Sequence, residues 1–199
     1  MTEPPPRANG VEALPPRQNL AAFTTSGYDK GRSVTWQVAW FAFSNLIFKK
    51  WWFPPRLRPA SLRLFGAKVG KGVLVRHGVQ IHWPWKLVLR DNCWLGEGVH
   101  ILNLEPVVVG SSTCISQSAV ICTGNHRSDR VDFRFDNRSI EIGASVWIGM
   151  QAFIGPGAYV SDGVVVAARQ LLRGGTVPPD VVVNAGGPLA TTTPRRILP

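Results

Sequence analysis

An aliphatic residue recurs at every sixth position through most of this chain, and few folds can use that spacing. The positions are Val69, Val75, Ile81; Leu89, Leu95, Ile101; Val109, Ile115, Ile121; Ile142, Ile148, Ile154; and Val160, Val166, Leu172. An amphipathic helix repeats near 3.6 residues and a strand near 2, so a period of six belongs to neither. It belongs to a repeat architecture in which each hexad is a short strand plus a turn. Three hexads close one coil. The coils starting at Val69, Leu89 and Val109 are 20 residues apart, three hexads and two extra residues at one corner; those starting at Ile142 and Val160 are 18 apart, with no extra. Equivalent stems then stack about 4.8 Å apart, as strands do in any sheet.

Glycine follows the stem at Gly70, Gly96, Gly110, Gly143, Gly149 and Gly155. These glycines are expected to supply φ freedom where the chain bends. The period lapses between Ile121 and Ile142, and the excursion over 125–138 leaves from the corner that carries the extra residues. A long loop in a compact repeat is functional or disordered. The fold expected is all-β, a parallel β-helix of hexapeptide repeats over 66–177. A flexible tail over 1–33 and a helical segment over 34–65 precede it, and a C-terminal extension over 178–199 follows.

Charge narrows the partners. The chain has 22 Lys and Arg against 12 Asp and Glu, a net +10. That balance favours acidic partners such as phosphate-bearing ligands or anionic lipid. No nucleic-acid-reading motif is present, and nucleic acid is not expected. Cys93, Cys114 and Cys122 lack metal-ligand spacing and fall inside the repeats, as buried free thiols in a reducing compartment do. No charged start runs into an apolar stretch, so no secretory signal is read and the expected compartment is the cytoplasm.

Residues 34–53 are rich in aromatic and aliphatic side chains, Trp36, Trp40, Phe41, Phe48, Trp51 and Trp52 among them, and basic residues follow. This run reads as a helix stopped by Pro54–Pro55. Two uses stay open. It can cap the first coil, whose end is a bare sheet edge. It can anchor the chain peripherally at the inner membrane, with aromatics in the headgroup zone and basic residues on anionic lipid.

The hexads, the loop opened by Thr123-Gly124-Asn125-His126, and the resumption Ile142-Gly143-Ala144-Ser145-Val146-Trp147-Ile148-Gly149 resemble the hexapeptide-repeat acyltransferases. With Leu64–Gly70, Trp83–Leu87 and Ile101–Leu104, the similarity extends to their colanic acid biosynthesis acetyltransferase subgroup, near the galactoside and maltose acetyltransferases. The resemblance implies a left-handed coil, acetyl-CoA as co-substrate, a sugar or lipid-linked saccharide as acceptor, and a homotrimer with active sites between subunits. It implies no metal.

A hydroxyl must lose its proton as it attacks a thioester, and imidazole suits that task. The resemblance places the catalytic base at His126 and an acceptor-binding asparagine at Asn103. Asn103 is two past its stem and His126 five past its own on the next coil, about 10 Å apart along the strand. A shared pocket would therefore form between chains. Loop acids Asp129, Asp132 and Asp136, with Glu141, are candidate partners for the imidazole. His77, His82 and His100 have no comparable context and are read as structural or exposed.

For the cofactor, the resemblance points to Met150 at the pantetheine, Ala168 at the adenine end, Arg173 near phosphate, and Trp147 as either core or pocket wall. Gly186-Gly187-Pro188 departs from the family's end motif. Three other readings stand beside this one. A carbonic anhydrase of this coil type needs three zinc-binding His, and the spacing here does not offer them. A silent scaffold and an N-acetyltransferase acting on an amino sugar are the others.

Overall fold

The computed structural model describes residues 18–25, 27–184 and 191–195. The Gly186-Gly187-Pro188 motif lies outside them, as do residues 1–17 of the tail. The described residues form two compact units: those up to Tyr28 together with His126–Asp136, and Asp29–Asn125 together with the described residues from Asn137 onward.

The larger unit is the repeat. Its strands are two to four residues long and belong to three parallel sheets. The first face runs Lys68–Val69, Leu87–Leu89, Val107–Val109, Ile140–Ile142, Ala158–Val160, Gly175–Val177. The second runs Leu74–Val75, Trp94–Leu95, Cys114–Ile115, Trp147–Ile148, Val165–Val166, Val181–Asn184, and ends with antiparallel Thr191–Pro194. The third runs Gln80–Ile81, His100–Leu102, Val120–Cys122, Phe153–Ile154, Leu171–Leu172. Each strand pairs with its equivalent one coil away, the signature of a parallel β-helix. Parallel pairing continues beyond Leu172 through Val177 and Val183.

Stem meets stem throughout. Val109 pairs with Ile142 across the 125–138 excursion, so the loop leaves and returns without disturbing the register. Every stem except half-buried Val69 is buried. A one-residue slip would turn a whole column outward, so the hydrophobic pattern fixes the register.

The stem-following glycines serve a different purpose from the one expected. None has a left-handed φ. A Cβ at Gly96 would lie 2.8 Å from the Gln117 nitrogen, and one at Gly149 would lie 2.5 Å from the Ala168 nitrogen. Adjacent coils approach so closely at these corners that no side chain fits. The left-handed residues sit three past the stem instead, at Asn92, Ser112, Ser118, Ser145, Gln151 and Arg169 as well as at glycines such as Gly72 and Gly98. Asp180, three past Val177, continues the series.

The helical segment is shorter than its composition suggests. Helix α1, Val34–Phe43, passes into a π-helical turn over Ser44–Phe48 and stops before Pro54. A second helix, α2 (Leu57–Leu64), follows. Together they cover the start of the coil. Trp40 is buried and its Nε1 donates to the Ile81 carbonyl at 3.0 Å. The Arg58 guanidinium, buried too, donates to Phe48, Lys50 and Val75 carbonyls. Burial lowers its pKa, but an arginine stays charged at neutral pH. The bonds to Ile81 and Val75 satisfy carbonyls that an open first coil would leave bare, and those to Phe48 and Lys50 hold the cap together. The cap is therefore real.

Candidate functional site

The lapse in the hexads is closed at its neck. The Arg138 N–H donates to the Thr123 carbonyl and the Asn125 N–H to Asn137 Oδ1, both at 3.0 Å. Beyond it, His126 forms an antiparallel bridge with Phe135. The imidazole is half-buried among rings. It stacks on Phe133 at 4.3 Å and 4°, and touches Phe135 at 4.8 Å and Phe23 at 5.5 Å. Phe23 comes from the tail, which was expected to be flexible. Near it, Asn19 donates its N–H to the Val131 carbonyl, and Tyr28 packs on Phe135.

One bond fixes the chemistry of the ring. Nδ1 lies 2.7 Å from the Phe133 carbonyl oxygen. A carbonyl can only accept, so Nδ1 carries the proton and Nε2 presents a lone pair. Phe133 adopts φ +48 to aim that carbonyl. For a bulky residue this backbone costs on the order of 1–3 kcal/mol, and such strain clusters at functional sites. At Nδ1 the partner is a main-chain oxygen and not one of the candidate acids. Asp129 is engaged elsewhere: Arg127 grips it at 2.8 and 2.6 Å and holds its carboxyl down to about 2.

Asn103 departs from the expectation. It is fully buried, its Oδ1 accepts the Trp83 N–H at 3.0 Å, and its Nδ2 donates to the Trp83 carbonyl at 2.6 Å. Its amide holds a corner of the coil and is not presented to solvent. Thr123, the equivalent residue one coil on, is buried likewise and accepts the Glu105 N–H at 2.9 Å.

Of the four residues expected at the cofactor, three come together. Trp147, Met150 and Ala168 line one groove of about 430 Å³ on the second face, with Ser116, Val165 and Gly149. Trp147 is a wall of this groove and not core; it is 53% exposed, and its Nε1 donates to Ser116 Oγ at 2.9 Å. The lining is mostly apolar, and the floor is where the Gly149 and Ala168 backbones nearly touch. A slender, mostly apolar chain fits such a trough. Arg173 does not belong to it. One residue past the third-face stem Leu172, it lies exposed on a different sheet.

Sequence reasoning also missed a pairing. His82 and His100 converge on one hollow beside the helical cap. The 20-residue coil offset places His100 opposite Gln80, and that arithmetic could have found it. Among the described residues, no three His, Cys, Asp or Glu side chains converge in a way that could hold a metal ion.

No family model matches the chain. Over 156 residues it is 38% identical to the provisionally named colanic acid biosynthesis acetyltransferase WcaF of Escherichia coli K12, covering 76% of this chain and 84% of that one. Its fold matches a maltose O-acetyltransferase from Clostridium difficile 630 (TM-score 0.72, 20% identity, 81% and 87% of the two chains). It also matches the hexapeptide-repeat acetyltransferase VCA0836 from Vibrio cholerae complexed with acetyl-CoA (TM-score 0.70, 22% identity, 86% and 93%).

Proposed function

The chain belongs to the colanic acid biosynthesis group of hexapeptide-repeat acetyltransferases, and from that premise we propose that it acetylates a sugar hydroxyl of an exopolysaccharide precursor, with His126 as general base. The observation that carries this reading is the bond from Nδ1 to the Phe133 carbonyl. It leaves Nε2 as the basic atom and holds the ring still between aromatic neighbours. Nε2 takes the acceptor's proton as its oxygen attacks, which general-base catalysis makes worth about 10² to 10⁴ in rate. Acetyl-CoA, when bound, supplies the activated thioester. Trp147, Met150 and Ala168 would hold its slender arm in the second-face groove.

The test is His126→Ala. Turnover on a hydroxyl acceptor should fall about 10² to 10⁴-fold, while acetyl-CoA affinity and melting temperature stay near those of the parent. A folded, cofactor-binding variant with parental turnover would remove His126 from the mechanism. An amino sugar acetylated faster than its hydroxyl counterpart would favour N-transfer instead.

Two assemblies accompany this reading. A homotrimer is the assembly proposed, since closed cyclic symmetry is the rule for soluble homo-oligomers, and sedimentation tests it. Peripheral membrane contact is supported by the outer side of the helical cap. Its inner side is buried, yet Val34, Val38, Phe41, Leu46, Trp51 and Trp52 are all more than half exposed, with Lys50 and Arg56 alongside. A helix that is apolar all round and covered on one side has a second partner. No helix among the described residues is long and apolar enough to cross a membrane. Flotation with anionic liposomes, lost in Trp51→Ala/Trp52→Ala, is the expected outcome.

A further inference from the structure

Between the helical cap and the third face lies a hollow of about 200 Å³. Its polar walls are Asn45 and Lys49 from the cap side and Gln80, His82 and His100 from the coil; Trp83 closes one side. The polar side-chain atoms of Gln80, His82 and His100 make no hydrogen bond among the described residues. His77, by contrast, meets Glu97 at 2.9 Å. Partial desolvation in the hollow lowers the pKa of both His82 and His100 from 6.5, and nearby positive charge, on His100 and lysines for His82 and on Lys49 for His100, lowers it further. Both rings are therefore neutral at neutral pH. A neutral imidazole, like an amide, offers one donor and one acceptor side by side.

The aromatic wall is held in place. Trp83 meets His82 edge-on at 4.2 Å and stacks on Trp85 at 4.8 Å and 25°. Trp85 is pinned by its Nε1 bond to the Lys30 carbonyl at 2.7 Å. Asn103 clamps the Trp83 peptide from both sides. The cap side of the hollow is the π-helical turn, a distortion that recurs at functional sites. Groups that both donate and accept match hydroxyls, which do the same. A phosphate would want several free cations, but of the lysines whose charge reaches these rings Lys49, the one in the wall, already donates to Asn45 Oδ1 at 2.6 Å, and Lys86 is held by the Asp29 and Leu104 carbonyls. The hollow has space for roughly six or seven waters, the size of one sugar ring and not of a nucleotide.

We propose that this hollow is a subsite for one neutral hexose unit of the acceptor. Gln80, His82 and His100 bond its hydroxyls and Trp83 covers its apolar side. Asn103 is a positioning residue that acts on the sugar through the Trp83 peptide. The proposal rests on the reading of the protein as a sugar acetyltransferase.

The experiment uses the full chain and methyl hexosides of galactose, glucose and mannose as probes. In the active protein, His82→Gln and His100→Ala should each raise KM for an accepted hexoside about tenfold or more, and Asn103→Ala should act in the same direction. KM for acetyl-CoA and kcat at saturating hexoside should stay within about threefold. In His126→Ala, tryptophan fluorescence should report saturable hexoside binding that the His100→Ala change weakens tenfold. His82→Gln, at an exposed position, keeps the test valid if His100→Ala fails to fold. Hexoside KM indifferent to both histidines would overturn the subsite while leaving acetyl transfer standing. Histidine-dependent binding in a parent protein that never acetylates the sugar would do the reverse. Binding of hexose 1-phosphates alone, or of no probe at all, would overturn the neutral-sugar assignment.

Discussion

The repeat and the His126 loop keep order by opposite means. In the coil, position is imposed by the neighbours one turn above and below: stems are buried, registers run unbroken, and a single Cβ at the stem-following glycines has nowhere to go. In the loop, no column repeats. One carbonyl, a strained phenylalanine and a few rings hold the imidazole. The coil should therefore fail by unfolding, whereas the loop should lose rate with its fold intact. A scaffold that admits no adjustment can present a residue whose own support is thin.

The largest expected effect lies in the coil. Gly110→Val would drive a Cβ into the backbone of Gly143 and Ala144. This should cost about 3 kcal/mol, a fall in melting temperature of about 10 °C by calorimetry. A variant that melts like the parent would mean that coil spacing yields and that the contrast with the loop is overstated.

Next comes the cap. Arg58→Leu removes a buried guanidinium from the carbonyls of Phe48, Val75 and Lys50, of which Lys50 still accepts the Phe53 N–H. A loss of about 2 kcal/mol is expected, read by urea denaturation, with kcat unchanged in the folded protein. If kcat fell in step with stability, the cap and the chemistry would not be separable.

The loop prediction is smaller. Phe133→Ala keeps the carbonyl but loses the ring stacked on His126. Turnover should drop about tenfold, or 1.4 kcal/mol, with melting temperature nearly unchanged. A large fall in melting temperature with full turnover would make Phe133 a stability residue and blur the contrast.

The smallest effect is on pH. The pKa values of His82 and His100 are lowered in the fold, so the unfolded chain binds protons first as pH falls. Their neutral forms favour the folded state fully above pH 6.5, the unfolded value. That contribution is lost as pH drops toward the folded values. Melting temperature should therefore decline from pH 6.5 downward, and His82→Gln/His100→Gln should flatten the decline. An unchanged slope would assign the loss to other groups.

What the sequence revealed follows the same division. The stems, coils and loop neck were legible because a burial period of six appears directly in residue type. The role of the glycines was not, because close approach of two coils and φ freedom both select glycine. Asn92, Gln151 and Arg169 show that the left-handed corners accept other residues. Coil arithmetic separates Arg173 from Trp147, Met150 and Ala168 and joins His82 to His100, so both relations are legible in the 20- and 18-residue offsets. The Phe133 clamp had no signal at all, since a left-handed phenylalanine is set by its tertiary surroundings and not by local propensity. Nor did the burial of Asn103, whose amide could equally have faced a ligand.

The most direct test of the account is the tautomer of His126 in the folded protein. A long-range ¹H–¹⁵N correlation spectrum, with the resonance assigned by its loss in His126→Ala, reports which ring nitrogen carries the proton. The account predicts a neutral ring protonated on Nδ1, with Nε2 bare, at pH 8, and a loss of that preference when the loop is unfolded in urea. A neutral ring protonated on Nε2 would contradict it, because the atom meant to receive the acceptor's proton would already hold one.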